Sequence, residues 1–121
     1  MDQPILIVDD DFDIREALVD AFEDNGFAVL TAANGLEALS LLKDGRESPS
    51  LILLDLMMPV MDGWEFMSIL KTHPEWSDIP VIIVTAIYDA KRTQDETGAR
   101  AVLTKPFDID QLTELVSIYS S

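Results

Sequence analysis

Five short apolar runs recur along the chain, and each is followed by a segment whose polar and apolar residues suit a helix. The first, third and fourth runs are continuously apolar, which is typical of strands buried on both faces of a sheet. Strands that alternate with helices in this way predict an α/β fold, with a doubly wound, five-stranded parallel sheet and five helices. The predicted strands cover residues 4–8, 27–31, 51–54, 80–84 and 101–103.

The segment after the first run shows the helical spacing most clearly, because its apolar residues fall at i, i+3, i+4, i+7 and i+8. Asp11 or Asp13 would cap the start of this helix, and the Asn-Gly pair at 25–26 would end it. A polar fourth helix is predicted over residues 88–96, with a stop at Gly98. The other four helices have apolar faces formed by Ile14, Ala17, Leu18, Ala21 and Phe22; by Leu36, Leu39 and Leu42; by Phe66, Ile69 and Leu70; and by Leu112, Leu115, Val116 and Tyr119.

The charge balance of the chain is strongly acidic. Eight Lys and Arg residues against 23 Asp and Glu residues give a formal net charge of −15 at pH 7. Such a surface repels phosphate backbones and anionic lipid headgroups, so we predict no direct nucleic-acid binding and no membrane docking.

Length and residue types bound the class of protein further. The 121 residues fit one domain, residues 1–121, and leave no room for a second. The lack of cysteine excludes disulfides, thiolate zinc sites and a cysteine nucleophile. The apolar runs are far shorter than the roughly 20 residues of a membrane span, and residues 1–4 lack the basic start of a signal peptide. We therefore expect a soluble, cytoplasmic domain.

Polar residues follow four of the five predicted strands at the point where each strand ends. In open α/β sheets, ligands bind beyond the carboxyl ends of the strands, so these residues are expected to converge on one rim. A lone Asp in such a place is usually a helix cap, and we keep that interpretation for Asp11 and Asp13. The converging set is Asp9 and Asp10 after the first strand, Asp55 after the third, Thr85 and Ala86 after the fourth, and Lys105 after the fifth.

This set of side chains suits phosphoryl chemistry at a metal ion. Carboxylates held close together repel each other, so they bind protons or a cation. Oxygen ligands from few protein groups favour Mg²⁺, beside which a carboxylate can attack a phosphoryl group. The hydroxyl of Thr85, the backbone N–H of Ala86 and the charge of Lys105 would then stabilise the phosphoryl oxygens.

Four motifs occupy these strand ends in a fixed order: 7–11 (Ile-Val-Asp-Asp-Asp), 54–59 (Leu-Asp-Leu-Met-Met-Pro) with 61–63 (Met-Asp-Gly), 84–86 (Val-Thr-Ala) and 103–107 (Leu-Thr-Lys-Pro-Phe). Over essentially the whole chain, the ordered set resembles the receiver domains of bacterial two-component response regulators. The resemblance implies a flavodoxin-like strand order 2-1-3-4-5. It also implies a signalling domain rather than an enzyme, although one that assists its own phosphorylation and dephosphorylation.

The resemblance assigns a role to each site residue. Asp55 would be the phosphoacceptor, supplied by a histidine kinase or a histidine phosphotransfer protein. Mg²⁺ would be ligated by Asp10, Asp55 and the backbone carbonyl of Met57, with Asp9 acting largely through water. Thr85 would move toward the phosphate, and Lys105 would pair with it, held by a cis bond to Pro106.

The chain departs from the family pattern at the fifth strand. Residues 98–102 read Gly-Ala-Arg-Ala-Val, so Val102 stands where an aromatic switch residue is usual. The output step and its partner are therefore left open, as is the choice between a monomer and a phosphorylation-dependent dimer. In the family, the positions of Met57 and Ile87 flank the attacking water; both residues are apolar here, which predicts slow self-dephosphorylation.

Three other functions compete with this one. A haloacid-dehalogenase-like phosphatase would need a second Asp two residues after Asp55, where this chain has Met57. A nucleotide or flavin binder would need a loop rich in Gly or Ser/Thr after the first strand, where this chain has three acids. A pseudo-receiver that acts only as an interaction scaffold, without phosphorylation, is the remaining alternative.

Overall fold

Five parallel strands form one sheet, in the spatial order second, first, third, fourth and fifth along the chain, as the family resemblance implied. The computed structural model describes residues 3–45, 48–86 and 89–120. The strands are β1 (Ile5–Val8), β2 (Val29–Ala32), β3 (Leu51–Asp55), β4 (Val81–Thr85) and β5 (Ala101–Thr104). The helices are α1 (Phe12–Asp24), α2 (Gly35–Asp44), α3 (Gly63–Thr72), α4 (Ala90–Thr97) and α5 (Ile109–Tyr119).

Each helix begins at an Asp or Asn whose side-chain oxygen accepts a backbone N–H from the first helical turn. These caps satisfy N–H groups that have no partner within the helix. Asp11, rather than Asp13, caps α1. The five N-caps are Asp11, Asn34, Asp62, Asp89 and Asp108.

The hydrophobic core lies in two layers, one on each face of the sheet. Successive residues of a strand point to opposite faces, so Leu6 and Val8 enter one layer while Ile5 and Ile7 enter the other. Residues of α2 and α3 complete the first layer, and residues of α1 and α5 complete the second. Burial on both faces holds β1, β3 and β4 at the centre of the molecule and fixes where their carboxyl ends lie.

Strand register brings the carboxyl ends of the central strands level with one another. Val8 of β1 pairs with Leu54 of β3, and Asp55 pairs with Val84 of β4. The residues that follow β1 therefore lie beside the end of β3, as the sequence predicted.

The second strand begins later than predicted. The apolar run suggested residues 27–31, but β2 is Val29–Ala32. The backbone N–H of Phe27 donates to the carbonyl of Phe22 at 3.0 Å, and the two rings pack edge to face. Phe27 thus closes the turn after α1, and pairing with β1 starts only at Val29.

The polar helix α4 is held differently from the other helices. It begins at Ala90 rather than at the predicted Tyr88, which lies outside the described residues. Its buried residues are Thr93 and Thr97, whose hydroxyls donate to the carbonyls of Asp89 and Thr93, respectively, at 2.9 and 2.7 Å. It packs against β5 and α3 without a large apolar side chain of its own.

Val102, at the position of the usual aromatic switch, is half-buried in β5 and packs against the core layer on the α2 and α3 side. Its place is that of an ordinary strand residue. Among the described helices, none is both long and apolar enough to cross a membrane.

Candidate functional site

Three carboxylates meet at the carboxyl ends of β1 and β3. One oxygen each from Asp9, Asp10 and Asp55 lies within 4.8 Å of the others. Asp9 and Asp55 are 4% and 5% exposed, whereas Asp10 faces solvent. The sequence prediction that these three residues converge is therefore met in the structure, and we call them the acid cluster.

Backbone N–H groups hold the two buried carboxylates in place. Oδ1 of Asp9 accepts the N–H of Asp11 at 2.9 Å, and Oδ1 of Asp55 accepts the N–H of Met57 at 3.1 Å. In both cases the donor lies two residues along the chain, so each carboxylate folds back over its own loop. The second oxygen of each faces the ammonium group of Lys105.

Lys105 bridges the two buried carboxylates. Its Nζ lies 3.1 Å from Oδ2 of Asp55 and 3.5 Å from Oδ2 of Asp9. Its backbone N–H donates to the carbonyl of Thr85 at 2.7 Å, which joins the ends of β4 and β5. The bond from Lys105 to Pro106 is cis, as the resemblance implied.

The remaining predicted site residues lie on the same rim. Thr85 ends β4 and is fully buried, and Ala86 follows it at the surface. The side chain of Met57 is 59% exposed, so its apolar bulk borders the mouth of the site. Ile87 lies outside the described residues. The roles assigned to these residues remain predictions.

Burial and mutual repulsion shape the titration of the site. Burial raises the pKa of Asp9, and the negative charge of Asp55 raises it further, against the lowering effect of the Asp11 N–H and of Lys105. Burial lowers the pKa of Lys105, but the charges of Asp55 and Asp9 and the hydrogen bonds to them outweigh this, so its pKa is raised. The ammonium therefore stays charged at neutral pH.

The donor set fits a hard divalent cation. All three groups of the acid cluster are oxygen donors, and one ammonium group faces them. Two negative charges remain when all three carboxylates are ionised, which a Mg²⁺ ion would neutralise. The exposed position of Asp10 also leaves the cluster open to water and to a phosphate-bearing ligand.

Sequence reasoning missed two residues that shape this site. Nη1 of Arg15 donates to the backbone carbonyl of Asp9 at 2.7 Å. The Cα of Gly63 lies so close to β3 that a Cβ there would be 2.6 Å from the Cα of Leu56. The Asp-Gly pair at 62–63 indicates a helix start, but no sequence signal marks this close approach. The three-residue spacing of Phe12 and Arg15 was the one available hint for the arginine.

Asp9→Asn is expected to raise the free energy of unfolding at pH 7, measured in EDTA. A carboxyl whose pKa is raised on folding binds more protons in the folded state, so its ionisation costs stability as pH rises from the unfolded pKa through the folded one. The wild type should therefore gain stability relative to the variant as pH falls through that window. Urea unfolding between pH 4 and pH 8 measures this.

Asp62→Asn is the matched control, because Asn also caps a helix and Asp62 lies at the exposed start of α3. The difference in unfolding free energy between Asp62→Asn and the wild type should not show the pH dependence expected for Asp9→Asn. Equal pH profiles for the wild type and Asp9→Asn would contradict the prediction.

Comparison with known proteins covers almost the whole chain. A family model described as "Response regulator receiver domain" matches residues 5–117. The chain is 41% identical over 121 residues to Sporulation initiation phosphotransferase F of Bacillus subtilis, covering 98% of this chain and 94% of that protein. It is 39% identical to Response regulator Rre1 of Synechocystis sp., covering 96% of this chain but only 52% of that protein, about half its length.

A solved structure shares the fold. Response regulator protein TrrA of Thermotoga maritima, in complex with Mg²⁺ and BeF, is 32% identical to this chain, with a TM-score of 0.82. The match covers 97% of this chain and 98% of that one.

Proposed function

The chain belongs to the response regulator receiver domain family, and from this premise we propose that it is a Mg²⁺-dependent phosphoacceptor switch. Asp55 would receive a phosphoryl group from a histidine kinase or a histidine phosphotransfer protein. Residues 1–121 would make up a single receiver domain. A cytoplasmic setting is part of the proposal, and a chain without cysteine is compatible with it.

One observation carries the proposal: the buried carboxylate of Asp55 ends β3 within the acid cluster and lies 3.1 Å from the ammonium of Lys105. A carboxylate used only as a helix cap needs neither a second buried acid nor a bridging lysine. A strand-end nucleophile needs both a cation site and a positive charge for the incoming phosphoryl oxygens.

The transfer step would proceed by displacement at phosphorus. An oxygen of Asp55 forms the new P–O bond while the bond from phosphorus to the donor's imidazole nitrogen breaks. The imidazole leaves with that electron pair. Because its other ring nitrogen carries a proton, it leaves as a neutral ring. Lys105 would turn its ammonium toward the phosphoryl oxygens, with the Thr85 hydroxyl and the Ala86 N–H as further donors.

Mg²⁺ would be held by Asp10, Asp55 and the carbonyl of Met57, with Asp9 acting through water. When bound, the ion would neutralise the charge that develops on the phosphoryl oxygens. The TrrA structure in complex with Mg²⁺ and BeF supports assigning this ion to the acid cluster. The chain's own residues would place Asp55, exclude water from its buried side and supply a compensating positive charge.

The output would not depend on an aromatic ring at Val102, because the half-buried valine already packs against the core. We propose that the signal leaves through the loop after Thr85 and through α4. A monomer that dimerises on phosphorylation through α4 and α5 is compatible with this route. With a net charge of −15, the chain is not proposed to bind nucleic acid or membranes itself.

The proposal is tested by the intact mass of the protein after incubation with acetyl phosphate, with Mg²⁺ or with EDTA. One phosphoryl adduct is expected with Mg²⁺, formed as the bond from phosphorus to the acetyl oxygen breaks and acetate leaves. After removal of acetyl phosphate, the adduct should decay slowly, since the exposed Met57 cannot orient a water. A folded protein that gains no adduct would instead support the scaffold alternative.

A further inference from the structure

Arg15 is a second cation beside the acid cluster, but unlike Lys105 it forms no ion pair with it. Its Nη1 donates to the backbone carbonyl of Asp9 at 2.7 Å, and its Cζ lies 5.6 Å from the centre of the Phe12 ring. These are the contacts of its guanidinium within the described part of the chain. The half-buried side chain is thus held between a carbonyl and a ring.

In this position the guanidinium of Arg15 does not form the strongest interactions available to it nearby. A guanidinium gains more from a carboxylate, which it can bind through two hydrogen bonds, than from a single carbonyl. The side chain also points toward the start of α1, where the helix dipole disfavours a positive charge. Because Arg15 does not pair with the acid cluster, the carboxylates remain available for another cation.

The carboxylate of Asp10 is the least restrained member of the acid cluster. Those of Asp9 and Asp55 each accept a backbone N–H and each face Lys105. Within the described chain, no hydrogen bond holds the carboxylate of Asp10, which is exposed. Its orientation therefore depends on the backbone from which it projects.

Arg15 acts on that backbone directly. The carbonyl of Asp9 and the N–H of Asp10 belong to one planar peptide unit. A hydrogen bond to the carbonyl restrains the plane and the N–Cα bond of Asp10 within it, which limits the directions in which the side chain of Asp10 can leave the main chain. The contact with Phe12 limits the positions that Arg15 can adopt while it makes this bond.

We propose that Arg15 is a positioning residue that orients the carboxylate of Asp10 for a divalent cation through the Asp9 carbonyl. The inference rests on the proposed function, since it requires the acid cluster to bind Mg²⁺. In a purely structural role, Arg15 would close the loop between β1 and α1 and have no effect on the cation.

The charge of Arg15 and its positioning role predict opposite effects on Mg²⁺ affinity when the residue is replaced. Removing a positive charge near a cation site strengthens Mg²⁺ binding if charge alone matters. Removing the restraint on the Asp9–Asp10 peptide weakens binding, because an outer partner that orients a metal ligand typically contributes about tenfold or more in affinity. The direction of the change therefore distinguishes the two roles.

The experiment is calorimetric titration of the metal-free protein with Mg²⁺, together with urea unfolding in EDTA. Arg15→Met keeps an apolar stem over Phe12 but removes the donor, and its Kd should rise about tenfold. Arg15→Lys keeps a charge and a donor, and its Kd should fall between those of Arg15→Met and the wild type. Arg92→Met, which removes an exposed arginine paired with Glu96 on α4, should leave the Kd unchanged.

A Kd for Arg15→Met equal to or below that of the wild type would overturn the inference while leaving the proposed function intact. The same holds if the variant loses only stability in EDTA. A wild-type protein that takes up no Mg²⁺ would remove the cation site from the proposed function and the inference with it.

Discussion

Asp55→Asn is expected to abolish the phosphoryl adduct that acetyl phosphate and Mg²⁺ form with the wild type. The amide oxygen of Asn is a poor nucleophile at neutral pH, and the change also removes one negative charge from the proposed cation site. The fold should survive, because Asn keeps the size of the side chain and an oxygen that can accept the Met57 N–H. Intact mass and circular dichroism of the same samples measure both effects.

Asp11→Asn is the matched control for this experiment. Asp11 lies on the same rim, and its exposed side chain caps α1, a role that Asn fills equally well. This variant should gain the adduct as the wild type does. An adduct of the same size on folded Asp55→Asn would place the phosphoryl group on another residue and refute the assignment.

Gly63→Ala is expected to lower the free energy of unfolding by about 3 kcal/mol, a large part of the 5–15 kcal/mol typical of a domain. The added Cβ would lie 2.6 Å from the Cα of Leu56 and 2.9 Å from the carbonyl oxygen of Asp55. Backbone atoms cannot rotate aside, so α3 must move away from β3. Urea unfolding measures the loss, and slower adduct formation should accompany it, because the Asp55 peptide is displaced.

Gly35→Ala separates this steric effect from helix propensity. Gly35 and Gly63 are both the first residue of a helix, after an Asn or Asp cap, so Ala changes helix propensity similarly in both. At Gly35 the three heavy atoms nearest to the new Cβ all belong to the side chain of Met61, at 2.8 to 3.0 Å, and that flexible chain can shift. Equal losses of stability in the two variants would contradict the steric argument.

The parallel α/β fold and the meeting of the acid cluster were predictable because both follow from short-range patterns, whereas the strand order came from the family resemblance. Buried strands can be recognised in the sequence as apolar runs. In a parallel sheet the carboxyl ends of the central strands lie at one edge, so Asp9 and Asp55 meet there independently of the loop conformations. The cap at Asp11 follows in the same way from residue type and position. The cis bond before Pro106 came from the family resemblance alone.

Features that depend on backbone atoms of distant residues were not predictable. The bond from Arg15 to the Asp9 carbonyl involves a group that every residue carries, so no residue type marks the acceptor. The close approach of Gly63 to Leu56 depends on the separation of α3 and β3, which the sequence does not encode locally. The predicted start of β2 was wrong for a related reason. Phe27 is as apolar as a strand residue, but it closes the turn after α1.

The two buried threonines of α4 have a consequence for how the molecule moves. Helices α1, α2, α3 and α5 bury leucine, phenylalanine or valine, so lifting any of them exposes hydrocarbon to water. Lifting α4 exposes two small side chains whose hydroxyls bond within the helix and its cap, and those bonds can travel with it. We therefore expect α4 to open more easily than the other helices, so that its amide hydrogens exchange with solvent while the sheet stays closed.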